Sequence, residues 1–535
     1  MKSIKKFLAV ILSMTLMLTL GTATFGAQKT LPSGKDTGSI NVTNLKPGDT
    51  VTAYQFVKAD YNEYGFTGYS AINNYVKDPV APTAQEVIDM ASNAATMTVA
   101  AEKKVATGDT EVTLNGLPVG YYLVMVTSGS ETVYSPMIAG IYYSKSATDN
   151  TLTNGAISAD SDFEIKAQKC WAKSSTPKLE KTIVTPSSKN SKGDDIAIGD
   201  KITFNLSATV PSYSKEYKKV TYKIYDIMSE GLDYVDGSMK CFIEKYENNR
   251  ENIKATPKVN GGIIEITFDS KFILEHPGQK IQVEYQAKLN EKAGVNFDAN
   301  INKAYLEYSN NPASGSTAKT GEDKVYVYTF GIDSNLFGKS TEKWNGKTKE
   351  LIKVEEGEYQ WVETEKESGI FTTTTALEGA TFTLTNNKTK KSYTATSDKY
   401  GYLKFTGLDA GEYTLQETDA PDGFTLNDAK HTVVITAEYN QDGTLKSYTI
   451  KIDDKATSTY TATYDKGVIK TITSTKDSQG NISESAILKN SKMSFLPSTG
   501  GVGTTIFAIV GVVFVAVALG LHMILRGKSK LEQDR

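Results

Sequence analysis

The 535-residue sequence predicts an all-β fold: a string of β-sandwich domains between two short apolar segments. Three observations carry this. Strand-forming residues are abundant, with 30 tyrosines beside many Thr, Val and Ile. Hydrophobic and polar residues alternate over runs such as Lys201–Val210 and Thr432–Thr436, the period of a strand with one buried face. Clusters of Gly, Asn, Asp and Ser separate these runs, and almost nothing between the termini keeps a helical period for long. The length suits about three or four domains of ~100–200 residues each.

Residues 1–27 read as a secretory signal peptide. Lys2, Lys5 and Lys6 give a positive start, Phe7–Leu20 is apolar, and Thr22, Ala23, Gly26 and Ala27 are small. Three folded units follow. The first spans 28–172, opens with Gly38–Thr43 and closes with Asp162–Ala167. Within Thr83–Met97, Ala84, Val87, Ile88, Met90 and Ala91 are apolar at helical spacing, which predicts a short helix. The second unit spans 173–329, from the strand around Pro177–Val184 to Val325–Tyr328. The third spans 330–492. Loop-like punctuation falls at Ser174–Pro177 and Asn310–Ser316. Cys170 and Cys241 lie on either side of the first boundary, so a bond between them is awkward and both are expected to stay free.

A weak internal repeat links the first and third units. Leu114-Asn-Gly-Leu-Pro-Val-Gly-Tyr-Tyr-Leu-Val124 parallels Phe405-Thr-Gly-Leu-Asp-Ala-Gly-Glu-Tyr-Thr-Leu415, each a glycine turn leading into a strand. The copies then diverge, and only the third unit continues to an acid, Glu417. Tyr413, Leu415 and Glu417 share one face of a strand, which would set a carboxyl among apolar neighbours. Alternatively, the following Ala420-Pro-Asp-Gly423 turn releases Glu417 to solvent.

The C-terminus has three consecutive parts. Residues 493–503 hold Leu496-Pro497-Ser498-Thr499-Gly500. Residues 504–525 are nearly all apolar, long enough to cross a bilayer as a transmembrane helix. Residues 526–535 start with Arg526, Lys528 and Lys530, the charges of a cytoplasmic basic tail. This order resembles the cell-wall sorting signal of Gram-positive surface proteins. The resemblance implies that sortase cuts between Thr499 and Gly500 and joins the Thr499 carbonyl to an amine, the membrane span being a temporary hold. It implies a secreted protein anchored to peptidoglycan on the cell surface.

Two further motifs extend the resemblance. Tyr413-x-Leu-x-Glu417-Thr-x-Ala-Pro-x-Gly-Phe424 resembles the E-box of the CnaB-type domains of Gram-positive pilins. In that family the glutamate promotes a spontaneous isopeptide bond between a first-strand lysine and a last-strand asparagine. The resemblance points to Asn490, in Ser485–Asn490, as acceptor. On the first strand it points to Lys339, with Lys343 as second choice; Ser334–Gly338 departs from the family pattern there. In the second unit, Lys181, Asp226 and Asn302 follow the order of the fimbrial isopeptide-forming D2-type domain, with Asn302 beginning an N-x-A-x-L-x-Y strand. The resemblance makes Lys181 the nucleophile, Asp226 the helper and Asn302 the acceptor.

The whole plan is similar to a sortase-assembled pilin: Ig-like sandwiches of CnaA and CnaB type in an elongated array, ending in LPxTG. The expected function is a fimbrial or pilus subunit, with sortase, other pilin subunits and peptidoglycan as partners and no cofactor. In shaft pilins a lysine near the end of the first domain receives the next subunit, usually within a V-Y-P-K-N-like motif. No such motif is present; Lys169 matches best by position, with Lys173 and Lys178 as rivals. The alternative is an accessory or basal pilin, or an adhesin for a host or neighbouring-cell ligand. Net charge is −3, which gives no sign of a nucleic-acid partner. His276, His431 and His522 are scattered, and no Ser/His/Asp, metal or phosphate-loop spacing marks an enzyme.

Overall fold

The computed structural model describes residues 31–129, 131–144, 157, 163–184, 190–246, 249–344, 347–353, 359–365, 369–399, 402–453, 456–475 and 487–491. Described residues are overwhelmingly strands, gathered into several sheets. The signal segment, the Leu496–Gly500 motif and the apolar span at 504–525 lie outside them.

The first set of strands packs a small sheet against a larger one. Thr37–Thr43 lies between Cys170–Trp171 and Glu111–Pro118. The larger sheet runs in the order Gly65–Ala71, Thr50–Asn62, Gly120–Thr127, Met137–Ser144, Glu164–Ala167. The expected helix is present at Ala84–Ser92. Thr83 caps it by accepting from the Glu86 backbone N–H, and the Glu86 carboxylate reciprocates. Val87, Ile88, Met90 and Ala91 are its buried face.

The middle set is a two-sheet sandwich. One sheet orders Leu179–Ile183, Lys201–Thr209, Lys280–Leu289, Lys240–Tyr246 and Asn249–Ile253. The other orders Gly193–Asp195, Asp323–Tyr328, Asn300–Asn311, Tyr222–Met228, Ile263–Thr267 and Thr256–Asn260. Period-2 patterning builds its core: Ile202, Phe204, Leu206 and Ala208 face in from one strand, Tyr222, Ile224 and Met228 from another. Cys170 and Cys241 are buried and unpaired, on the small first sheet and in this sandwich respectively.

The third set includes a seven-strand sheet from Ser392–Thr396 to Val468–Thr475. It also includes a sheet in which Phe330–Trp344 pairs with Gly369–Ala376, Tyr402–Leu408 and, in parallel, Ile487–Ser491. The internal repeat is structural. Gly116 and Gly407 both take positive φ, 69° and 76°. Four residues before each following tyrosine, a backbone carbonyl accepts its hydroxyl: Tyr122 to Pro118 at 2.5 Å, Tyr413 to Asp409 at 2.8 Å.

The middle and third sets share a strand. Along Asp323–Tyr328, Val325 and Val327 pack into the middle core, whereas Tyr326 and Tyr328 pack into the third. Around this strand, the Tyr328 hydroxyl accepts the Leu445 N–H at 2.9 Å, and the Ile198 N–H reaches the Gly407 carbonyl at 3.0 Å. The Asp195 carboxylate accepts the Ala410 N–H and the Tyr439 hydroxyl, each at 2.5 Å. Gly193 meets Gly443 so closely that an added Cβ would lie 2.2 Å from the Gly443 carbonyl oxygen.

Burial of Asp195 in this joint disfavours its charge and raises its pKa from 3.8 to about 6. The docked state therefore holds a proton that the undocked state loses above about pH 4. Its contribution to stability is full below the ordinary carboxylate range and is lost as pH rises through about 6. Thermal unfolding of the wild-type chain should show greater stability at pH 4.5 than at pH 7 from this source. Asp195→Asn should flatten that part of the pH dependence, and an unchanged slope would count against it.

Candidate functional site

Four polar side chains meet in the core of the middle sandwich because each falls on the inward register of its strand. Leu179–Ile183 alternates buried and exposed, which turns Lys181 in with Leu179 and Ile183. Tyr222–Met228 turns Asp226 in between Ile224 and Met228. Asn300–Asn311 turns in Asn302 with Ala304 and Leu306. Lys280–Leu289 contributes Tyr285 with Val283 and Ala287. Lys181, Asp226 and Asn302 have no exposed surface at all.

Their hydrogen bonds form one closed set. Lys181 Nζ donates to Asp226 Oδ2 in a short ion pair and to the Tyr285 hydroxyl at 3.1 Å. Tyr285 in turn donates to Asp226 Oδ1 at 2.7 Å. Asn302 Nδ2 donates to the same Tyr285 oxygen at 2.7 Å. With its hydrogen committed to the carboxylate, the phenol oxygen is left as an acceptor, which fixes the amide nitrogen toward it. Asn302 Oδ1 is buried with no partner among the described residues. The Phe204 and Tyr285 rings flank the lysine, their centroids 5.0 and 5.3 Å from Nζ.

Full burial pushes the Lys181 amine below its ordinary pKa, and the Asp226 charge opposes that push. Burial also raises the Tyr285 phenol well above its usual value, so it stays protonated. The arrangement suits one reaction. Proton transfer from Lys181 to Asp226 yields a neutral amine, which is a nucleophile, and a carboxylic acid, a group that can donate a hydrogen bond to an amide oxygen. Tyr285 was not singled out from the sequence. The signal available is that Lys280–Leu289 alternates and turns a phenol inward, and a buried hydroxyl needs a partner.

The third set places its predicted residues less closely. Glu417 is 2% exposed on the same face as Tyr413 and Leu415, and accepts the Asn427 N–H at 2.6 Å. The strand runs on through Asp419, with Phe382 opposite Glu417, so the turn comes too late to release the acid to solvent. Lys339 and Asn490 lie on adjacent parallel strands. Asn490 pairs with Gly338 and Lys339 with Ser491, an offset of one residue, while Lys343 lies beyond the paired stretch. In the first set, Lys169, Lys173 and Lys178 are all exposed, near the edge strand Cys170–Trp171 whose Trp171 is 67% exposed.

Three family models match the chain. The SpaA prealbumin-like fold domain matches residues 370–451, the T6 antigen Ig-like domain matches 35–174, and the LPXTG cell wall anchor motif matches 489–530. Together with the stacked β-sandwiches, they define a class: a sortase-assembled, wall-anchored Gram-positive surface protein of pilin type. Within that class the chain is similar to the trypsin-resistant surface T6 protein of Streptococcus pyogenes serotype M6, at 26% identity over 93% of this chain and 96% of that protein. The structure of the T6 backbone pilin of serotype M6 Streptococcus pyogenes, a modular three-domain structure, superposes with TM-score 0.57 and 20% identity, covering 86% of this chain and all of that one. The full-length major pilin SpaD of Corynebacterium diphtheriae gives TM-score 0.45 and 16% identity over 88% of this chain and all of SpaD.

Removing one member of a buried ion pair leaves the other uncompensated. In an Asn302→Ala background, where Lys181 stays a free amine, Asp226→Ala should therefore destabilise the middle sandwich by about 3–5 kcal/mol, read as a lower urea midpoint than that of Asn302→Ala alone. A midpoint equal to that of Asn302→Ala alone would show that the pair contributes nothing to the fold.

Proposed function

We propose that this chain is a pilus shaft subunit, joined by sortase through Thr499 and stiffened by two intramolecular Lys–Asn bonds. Its role is structural, and each bond forms once per chain without turnover. The proposed domains are 28–172, 173–329 and 330–492, between the signal peptide and the sorting signal. The observation that carries the reading is the fully buried Lys181–Asp226–Asn302 cluster. A lysine is almost never fully buried unless paired, and a buried titratable cluster with a specific charge partner marks a functional-site candidate.

In the middle domain, Lys181 Nζ attacks Asn302 Cγ while protonated Asp226 holds Oδ1, and ammonia leaves. Holding the groups in one cavity replaces a bimolecular encounter. A Lys339–Asn490 bond promoted by Glu417 is proposed for the third domain from the E-box resemblance; the parallel pairing of Phe330–Trp344 with Ile487–Ser491 brings the two strands together but sets Lys339 opposite Ser491 and Asn490 opposite Gly338. Lys169, exposed beside an edge strand at the end of the first domain, is the proposed acceptor of the next subunit's Thr499. The second reading is an accessory or basal pilin, or an adhesin for a host or neighbouring-cell ligand. The absence of a V-Y-P-K-N-like motif around Lys169 favours it.

Two measurements test the proposal. The intact mass of the mature exported chain should fall short of the sequence mass by one ammonia per bond. Asp226→Ala and Glu417→Ala should each restore one ammonia, and a wild-type chain at full mass sinks the bonds. Immunoblots of wall extracts should show a high-molecular-weight ladder that disappears with Lys169→Ala and survives Lys173→Ala. A single wild-type band would point to the accessory reading.

A further inference from the structure

We propose that Tyr285 is a catalytic residue of the middle domain's self-cross-linking reaction, delivering the proton that turns the departing Asn302 nitrogen into ammonia. This rests on the Lys181–Asn302 bond proposed above and adds a residue that the Lys–Asp–Asn set leaves out. That set has an unfilled role. The reaction proposed above has Asp226 take one proton from Lys181 and serve Asn302 Oδ1, yet the amide nitrogen, whose recorded hydrogen bond is to Tyr285, must gain a proton before it can leave.

Tyr285 is the described group that touches both ends of that transfer. Its oxygen accepts from the attacking nitrogen, Lys181 Nζ, at 3.1 Å and from the departing nitrogen, Asn302 Nδ2, at 2.7 Å. Its hydrogen lies on Asp226 Oδ1 at 2.7 Å while that group is a carboxylate. Once Asp226 has been protonated by Lys181, Oδ1 is a weaker acceptor, and the phenol hydrogen is free to turn toward Nδ2. The phenol itself is neutral and fully buried.

The step balances. Lys181 begins with three protons on Nζ, gives one to Asp226, and attacks Asn302 Cγ with the freed electron pair. The carbonyl pair moves to Oδ1, held by the Asp226 O–H. Nζ then passes a second proton to the Tyr285 oxygen while the Tyr285 hydrogen passes to Nδ2. The Cγ–Nδ2 bond breaks, Oδ1 re-forms the carbonyl, and ammonia leaves with three protons. Nζ keeps one as the new amide N–H, Asp226 keeps one as a neutral acid, and Tyr285 ends as it began. No oxidant, reductant or outside acid is required.

The full chain, made by cell-free synthesis in detergent and chased for increasing times before denaturation, gives the rate at which the Lys181–Asn302 cross-linked peptide appears by mass spectrometry. General acid–base groups contribute about 10²–10⁴-fold, so Tyr285→Phe should slow formation by at least about 10²-fold with an unchanged far-UV circular dichroism spectrum. Cross-linking at the wild-type rate in Tyr285→Phe overturns the role of Tyr285 and leaves the bond standing. No cross-linked peptide in the wild type overturns the bond itself. Should Tyr285→Phe fail to fold, 3-fluorotyrosine at position 285 keeps every hydrogen bond and makes the phenol a stronger acid. A several-fold faster reaction supports proton delivery, whereas an unaltered rate reduces Tyr285 to a packing residue and overturns the proposal.

Discussion

The cost of burying one ammonium organises the middle of this protein. Lys181 sits wholly inside a sandwich whose other inward residues are mostly Ile, Val, Leu, Phe and Tyr. An isolated charge there would be prohibitive, so its neighbours are set by that demand: a carboxylate on one oxygen, a phenol between them, two aromatic faces alongside. Removing the charge chemically would end the demand altogether. A cluster that is expensive as an ion pair and inexpensive as a neutral amide has a built-in direction for reaction.

The same cluster was legible in the sequence to an unequal degree. Lys181, Asp226 and Asn302 are legible through their order, which resembles that of the D2-type domain; their inward registers emerge only once the strands are in place. Tyr285 has no place in that order and does not stand out, because a tyrosine on the inward face reads as ordinary core. Its meaning lies in partners 104, 59 and 17 residues away, which only the sheet topology brings together. Glu417 shows a different conflict. Alternation put it inside, the neighbouring turn put it outside, and the strand's continuation to Asp419 decides for the inside. The repeat around Gly116 and Gly407 was visible as spelling alone. The paired tyrosine hydroxyl bonds show that the spelling encodes one local geometry used twice.

The domain matches and the cluster address different levels of the molecule. The prealbumin-like and Ig-like matches cover the third and first units, residues 370–451 and 35–174, and the anchor match covers the terminus. None of them covers the stretch that holds Lys181, Asp226, Tyr285 and Asn302. The middle unit is thus read from its own chemistry, and its relation to the neighbours is read from the joint around Asp195 and Tyr328.

The strand Asp323–Tyr328 has no spare face. Its valines belong to one core and its tyrosines to the next. A strand with one solvent face tolerates a local slip by sacrificing a single core. Here a shift by one residue would drive tyrosines into holes shaped for valine and leave valines rattling in holes shaped for tyrosine, on both sides at once. Insertions and deletions in these six residues are therefore the least tolerated length changes in the joint. Substitutions that preserve both cores must keep small and large residues in strict alternation along Val325–Tyr328.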